Sequence, residues 1–123
     1  MQKKRRMRYL SSMLITAAVL LWLLVAPHTA KAANISLNET NFPDAAFRTA
    51  VKSAFDLNND NSLSSTEISK AKKLDASSSG IASTTGLQYL TALQELNVQY
   101  NQLRTLDVSK NTALTTLICN GNT

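Results

Sequence analysis

Between Asp56 and Glu67 the chain reads Asp-Leu-Asn-Asn-Asp-Asn-Ser-Leu-Ser-Ser-Thr-Glu, with oxygen-bearing side chains at positions one, three, five, nine and twelve and an apolar residue at eight. A hard divalent cation takes about six to eight oxygens in a flexible shell, and this spacing can provide them. Asp56, Asn58 and Asp60 would offer side-chain oxygens, Ser62 its backbone carbonyl, Ser64 a contact through water, and Glu67 both oxygens of one carboxylate. The expected cofactor is calcium. Binding should be weak, in the range of roughly 0.1 to 1 mM, because the run carries few carboxylates and no second loop accompanies it. Asn61 stands sixth, where the backbone turns through positive φ; asparagine tolerates that turn at a cost of about 1 kcal/mol or less.

Other chemistries lack their parts. His28 is the only histidine and lies in the N-terminal segment treated below as a removable signal, so the remainder cannot assemble a Ser-His-Asp triad or the common zinc site. Cys119 is the only cysteine, which rules out an intrachain disulfide. Its spacing places it at an interior strand position equivalent to Val98, where a buried small hydrophobe is expected. No carboxylate pair stands apart from ordinary surface charge, and the chain is not expected to be an enzyme.

The acidic run needs two helices to hold it. Phe47, Val51 and Phe55 recur every four residues, which places them on one face of a helix beginning near Pro43. Ser64 and Glu67 form a capping box that opens the second helix, with Ile68 and Ala71 on its buried side and Leu63 pointing inward between the helices. Residues 33–73 thus read as a helix-loop-helix with the register of an EF-hand. A dockerin-like docking module is an alternative reading, although dockerins carry the loop twice and this chain carries it once, ending in Glu67.

Downstream the pattern becomes periodic. Leu96, Val98 and Asn101 return as Leu117, Cys119 and Asn122, each 21 residues later. A fixed offset of this size is the mark of stacked coils. A first coil starts at Leu74 with Ala76 and Ile81, and residues 74–123 amount to about 2.5 coils. Leu96 and Val98 should face the interior of a short strand, with Asn97 and Gln99 facing outward. Asn101 should satisfy backbone groups at the bend. Leu87, Leu90, Leu93, Leu103, Leu106, Val108 and Leu114 would fill the space behind the strands, while Asp107 to Asn111 turn the chain. The expected class is α+β: a helix-loop-helix cap that covers the apolar end of a solenoid with short parallel strands. Gln94, Glu95, Asn97, Gln99 and Tyr100 form the expected recognition surface, with Tyr100 as the rigid aromatic anchor. The last coil breaks off at Gly121-Asn122-Thr123 without a polar cap, so the expectation is the front part of a longer or truncated protein.

The formal charge of +5 misleads until it is located. Lys3, Lys4, Arg5, Arg6 and Arg8 precede the apolar run Met13 to Ala26, and Ala30-Lys31-Ala32 follows Pro27. Residues 1–32 therefore read as a secretory signal, with retention as a membrane anchor the alternative. Without them seven basic residues face eight acidic ones, and nothing basic enough remains to displace counterions from nucleic-acid phosphates. The protein should be secreted or at the cell surface, touching the membrane only through the signal during export.

Residues 106–114, Leu-Asp-Val-Ser-Lys-Asn-Thr-Ala-Leu, match a phrase of the short bacterial leucine-rich repeats, and the sequence resembles the internalin-like kind. The run Asn41-Phe42-Pro43-Asp44 through Phe47, followed by the calcium-type loop, resembles the N-terminal cap of such surface proteins. The resemblance implies an exported module that recognises a protein or cell-surface macromolecule through a concave face. It names no ligand. A non-catalytic front segment of a larger secreted or cell-wall enzyme is the alternative.

Overall fold

A computed structural model describes residues 32–123, which form one unit; the signal reading falls on residues outside that range, apart from its last position, Ala32. Helix α1 spans Ala45–Phe55 and buries Phe47, Val51 and Phe55, as their spacing requires. It starts later than Pro43. Asp44 is the N-cap, in an extended conformation, and its Oδ1 accepts the N–H of Phe47 at 2.9 Å. A carboxylate that satisfies an orphan donor is a better helix start than the proline preceding it. The helix closes on Asp56, so the first residue of the acidic run is also its C-cap.

Helix α2 spans only Ser65–Lys70. Both halves of the capping box form: the Ser64 hydroxyl accepts from the Glu67 N–H, and the Glu67 carboxylate accepts from the Ser64 N–H. Ile68 and Ala71 lie on the side expected, packed against or within the core, and Glu67 joins them. Glu67 is the buried residue within the helix, Ile68 is half-buried, and Ala71 is buried but lies at the C-cap.

Five short strands complete the unit. β1, Ile35–Ser36, pairs antiparallel with β2, Ser62–Leu63, in the register Ile35 to Leu63. Sequence spacing gave no sign of this pair. β3 (Lys73–Asp75), β4 (Glu95–Asn97) and β5 (Thr116–Ile118) form a parallel sheet in that order, with Leu74, Leu96 and Leu117 in register. One strand per 21 or 22 residues follows from the leucine spacing, 74 to 96 to 117.

A single apolar cluster runs from Phe42, Phe47, Val51 and Leu63 to Leu74, Ile81, Leu87, Leu90, Leu93, Leu96, Val98 and Leu103. The helices and the sheet therefore share one core, and full burial of each large side chain contributes about 1.5 to 3 kcal/mol. Phe42 lies at its centre, with ring centroids 6.2 Å from Phe47 and 5.8 Å from Tyr89. Cys119 departs from expectation. It is exposed rather than buried, and Leu117 beside it is 40 % exposed, because β5 has a paired neighbour only on the β4 side.

Candidate metal centre and recognition surface

The acidic run folds as a tight loop whose carboxylates are aimed by backbone N–H groups. Asp56 accepts the N–H of Asp60 on Oδ1 and that of Asn61 on Oδ2, at 3.1 and 3.0 Å. Asp60 accepts the N–H and the hydroxyl of Ser62 on one oxygen and the Asn58 amide on the other. Glu67 reaches across the loop, accepting the N–H of Leu57 on Oε1 at 2.9 Å and both the N–H and hydroxyl of Ser64 on Oε2. Asn61 takes φ +61°, the left-handed turn that its place in the register requires, and Asn59 does the same at +57°. Lys52, one turn back on α1, donates to the Asn61 side chain.

These contacts set the charge. The Ser62 hydroxyl, ahead of the Asn58 amide and Ser62 N–H, holds the Asp60 carboxyl below its ordinary value. The Ser64 N–H and hydroxyl do the same for Glu67, against a smaller opposing effect of burial. Both groups are anionic at neutral pH. The backbone of Ser62 also suits the seventh position. Leu37 donates to the Asn61 carbonyl, so Ser62 occupies the non-hydrogen-bonded site of the β1–β2 pair and its carbonyl is not taken up by β1. Among the described residues, however, no three acidic, histidine or cysteine side chains converge closely enough to form a ready cage. Asp56, Asn58, Asp60, Ser62, Ser64 and Glu67 are the oxygen-bearing residues of this loop that could hold a cation, with Asn61 making the left-handed turn between them.

The second candidate is the outward face of the parallel sheet. Its register sets Lys73, Glu95 and Thr116 in one row and Asp75, Asn97 and Ile118 in the next. Gln94 is exposed just before β4, and its carbonyl accepts the N–H groups of Thr115 and Thr116. Glu95 pairs with Lys73 at 2.9 Å, an exposed ion pair of little worth to stability. Asn97 and Gln99 are half-buried, joined by the Gln99 N–H donating to Asn97 Oδ1. Tyr100 is 60 % exposed. The register places Glu95 and Asn97 of the expected surface on this face, together with Asp75 and the 40 % exposed Ile118, which the sequence reading missed. Stepping 21 residues on from Asn97 would have found Ile118.

Tyr100 is held in an unusual way. Ser78, Tyr100 and Gly121, at equivalent positions of successive units, all have positive φ, at +50°, +56° and +70°. For a bulky aromatic this conformation is strained. The Tyr100 ring lies over Gly121 so closely that a Cβ there would sit 2.3 Å from its Cδ1. In the second and third units the next residue is the bend asparagine, Asn101 and Asn122, whereas Ser79 follows Ser78. Asn101 accepts the N–H groups of Ser79 and Ile81 and donates to the carbonyls of Ala76 and Val98, and Asn122 bonds Leu103, Val98 and Cys119 in the same manner.

No family model matches the chain. Internalin J of Listeria monocytogenes serotype 4b (strain F2365) is 38 % identical over 71 residues, covering 58 % of this chain and 8 % of that protein. Among solved structures, the functional domain of internalin J from Listeria monocytogenes, which includes a cysteine ladder, superposes with a TM-score of 0.65 at 34 % identity, over 73 % of this chain and 20 % of the other. Internalin C2 of Listeria monocytogenes strain 4b F2365 gives 0.65 at 29 % identity, over 74 % of this chain and 41 % of the other. Internalin F from the same strain gives 0.66 at 25 %, over 76 % and 28 %. The chain is homologous to Listeria internalins, which supports an internalin-like leucine-rich repeat protein. It spans only 8 % of the length of the curated relative that it matches.

Proposed function

We propose that this chain is an exported leucine-rich repeat module that binds a protein or cell-surface macromolecule through the outward face of its parallel sheet, behind a helix-loop-helix cap stabilised by calcium. The observation that carries the reading is Tyr100: a largely exposed aromatic in a strained backbone conformation, braced on Gly121. Strain of this kind costs about 1 to 3 kcal/mol and persists where the surroundings hold it. In this proposal the rigid aromatic and the exposed aliphatic Ile118 supply the apolar contacts, and Asn97, Gln99 and Glu95 supply the polar rim.

The stacked strands support a solenoid, and the shared core supports the role of the helices as its cap. Calcium has a structural role in this proposal: it would neutralise Asp56, Asp60 and Glu67 where α1, α2 and β2 meet. The N-terminal basic and apolar segment supports export.

The test is binding of the labelled protein to intact host or bacterial cells, measured by flow cytometry. Wild type should bind saturably and compete with unlabelled protein, whereas Tyr100→Ala and Ile118→Ser should each bind at least about tenfold more weakly without loss of folding. Equal binding by wild type and both variants would remove the sheet face from the proposal.

A further inference from the structure

A recess of about 400 Å³ opens between two successive connections, away from the residues of the sheet face. The connection after β3 lines it with Thr84, Thr85 and Gln88, and the connection after β4 lines it with Thr105, Asp107 and Lys110. Its chemistry is narrow. Hydroxyl and amide groups dominate, one carboxylate and one ammonium cancel in charge, and no aromatic or large aliphatic side chain contributes. An ion would meet no net opposite charge there, and an apolar molecule would meet no aromatic or large aliphatic side chain, only the methyl and methylene groups of polar residues. A neutral molecule rich in hydroxyls, each both donor and acceptor, matches the lining group for group.

Part of this polar set is already fixed and part is unspent. The Ser83 and Thr85 hydroxyls bond each other at 2.9 Å. Gln88 accepts the Gly86 N–H on Oε1 at 2.8 Å, which leaves its amide NH2 as a donor. Asp107 is pinned through Oδ1 by the Ser109 N–H at 2.8 Å. The Ser109 hydroxyl and N–H, with the Lys110 charge a smaller contribution, hold the Asp107 carboxyl below its ordinary value, so it is purely an acceptor at neutral pH. Yet Asp107 and Lys110 do not close on one another. Among the described residues the one ion pair within 4 Å is Lys73 to Glu95, and the Lys110 ammonium and Thr105 hydroxyl make no hydrogen bond. A separated acceptor and donor facing one recess is the arrangement that adjacent sugar hydroxyls bridge, one donating to the carboxylate and its neighbour accepting from the ammonium.

We propose that this recess is a binding site for a neutral sugar, a hexopyranose seated with neighbouring hydroxyls between Asp107 and Lys110 and flanked by Thr85, Gln88 and Thr105. Without an aromatic platform, a single sugar unit is expected to bind with a dissociation constant of about 1 mM. This site is independent of the sheet face and of the calcium loop.

The experiment is an NMR titration of the isotope-labelled protein, produced from the full chain, with glucose, galactose and N-acetylglucosamine, and separately with inorganic phosphate, each to roughly ten times the expected dissociation constant. The proposal expects saturable shifts from at least one sugar at Thr85, Gln88, Thr105, Asp107 and Lys110, with phosphate giving none there. Asp107→Asn and Lys110→Met should each weaken binding about tenfold. Lys110 is exposed, so its replacement tests the site without touching the core, and an unchanged remainder of the spectrum confirms the fold. Absence of saturable shifts with all three sugars, equal shifts with phosphate, or undiminished affinity in Lys110→Met would each overturn it.

Discussion

Asn101 Oδ1 accepts the backbone N–H of Ile81 at 3.0 Å, across twenty residues of chain, while the same side chain donates to the carbonyl of Ala76 at 2.8 Å. One buried amide thereby completes the hydrogen bonding of two successive units, with Ser79 and Val98 as further partners. Unpaired backbone groups in a buried bend are costly, and this explains why asparagine, with both donor and acceptor, stands at the bend.

Replacement of Asn101 by alanine should accordingly cost about 3 kcal/mol, since several buried groups lose their partner together. For a unit of this size that lowers the melting temperature by on the order of 15 °C in calorimetry. Asn101→Asp should also destabilise, because a carboxylate keeps the acceptor but loses the donors to Ala76 and Val98. A melting temperature within a few degrees of wild type for the alanine variant would contradict the accounting.

The proposed calcium role makes a separate thermal prediction. With free calcium at roughly ten times its dissociation constant, stabilisation by mass action is about 1.4 kcal/mol, equivalent to a rise of about 5 to 10 °C. EGTA should remove that rise. Glu67→Gln should abolish the calcium-dependent part while keeping most of the capping box, since an amide oxygen still accepts from Ser64. A melting temperature indifferent to several millimolar calcium, above the range of roughly 0.1 to 1 mM for such modules, would rule the role out.

Asp44 couples α1 to the first repeat unit and should make that coupling dependent on pH. Burial raises its carboxyl pKa, but the N–H groups of Phe47, Ala82 and Ser83 outweigh burial, and the net value lies below 3.8. A depressed folded pKa means that the group contributes stability above its unfolded pKa and loses it as pH falls through the folded value. Asp44→Asn can still cap the helix but loses the charged acceptor that faces Ala82 and Ser83, a loss of about 1 kcal/mol at neutral pH. Denaturation at several pH values should show the wild-type advantage intact near neutrality and vanishing in acid below the ordinary carboxylate range. An advantage independent of pH would contradict the charge-based account.

The residues that were legible in the sequence acted through local periodicity. Phe47, Val51 and Phe55 announced a helix face, Ser64 with Glu67 announced a helix start, and Leu96 with Leu117 announced the strand register. What escaped notice needed a partner distant in sequence. The β1–β2 pair is two residues long on each side and carries no periodic signal. The left-handed series Ser78, Tyr100 and Gly121 is hidden because three dissimilar residues share one backbone conformation. Asn111, which the sequence marks only as the end of a turn from Asp107, is 3 % exposed and donates to the carbonyls of Leu87 and Leu90, at a position where the preceding unit has Leu90. For the acidic loop, spacing identified the ligand order, whereas the inward reach of Glu67 to Leu57 depends on how α2 packs.

Gly86 and Phe42 supply the sharpest test of the shared core. Gly86 has φ +109°, a conformation in which any Cβ is strained. An added Cβ would also lie 2.2 Å from Phe42 Cδ1 and 2.8 Å from the Asn41 carbonyl oxygen. The Phe42 ring cannot readily retreat, because it is fully buried between Phe47 and Tyr89. Gly86→Ala should therefore combine conformational strain with overpacking and cost at least about 3 kcal/mol. Gly80→Ala is the control: φ is +72° and nothing lies within 4 Å of its Cβ position, so only the backbone cost of about 1 to 2 kcal/mol remains. Denaturant midpoints compared at constant m-value isolate the difference as the steric contribution of Phe42. Equal losses in the two variants would mean that the Phe42 ring gives way freely and that the close fit between helix cap and first repeat unit is not a determinant of stability.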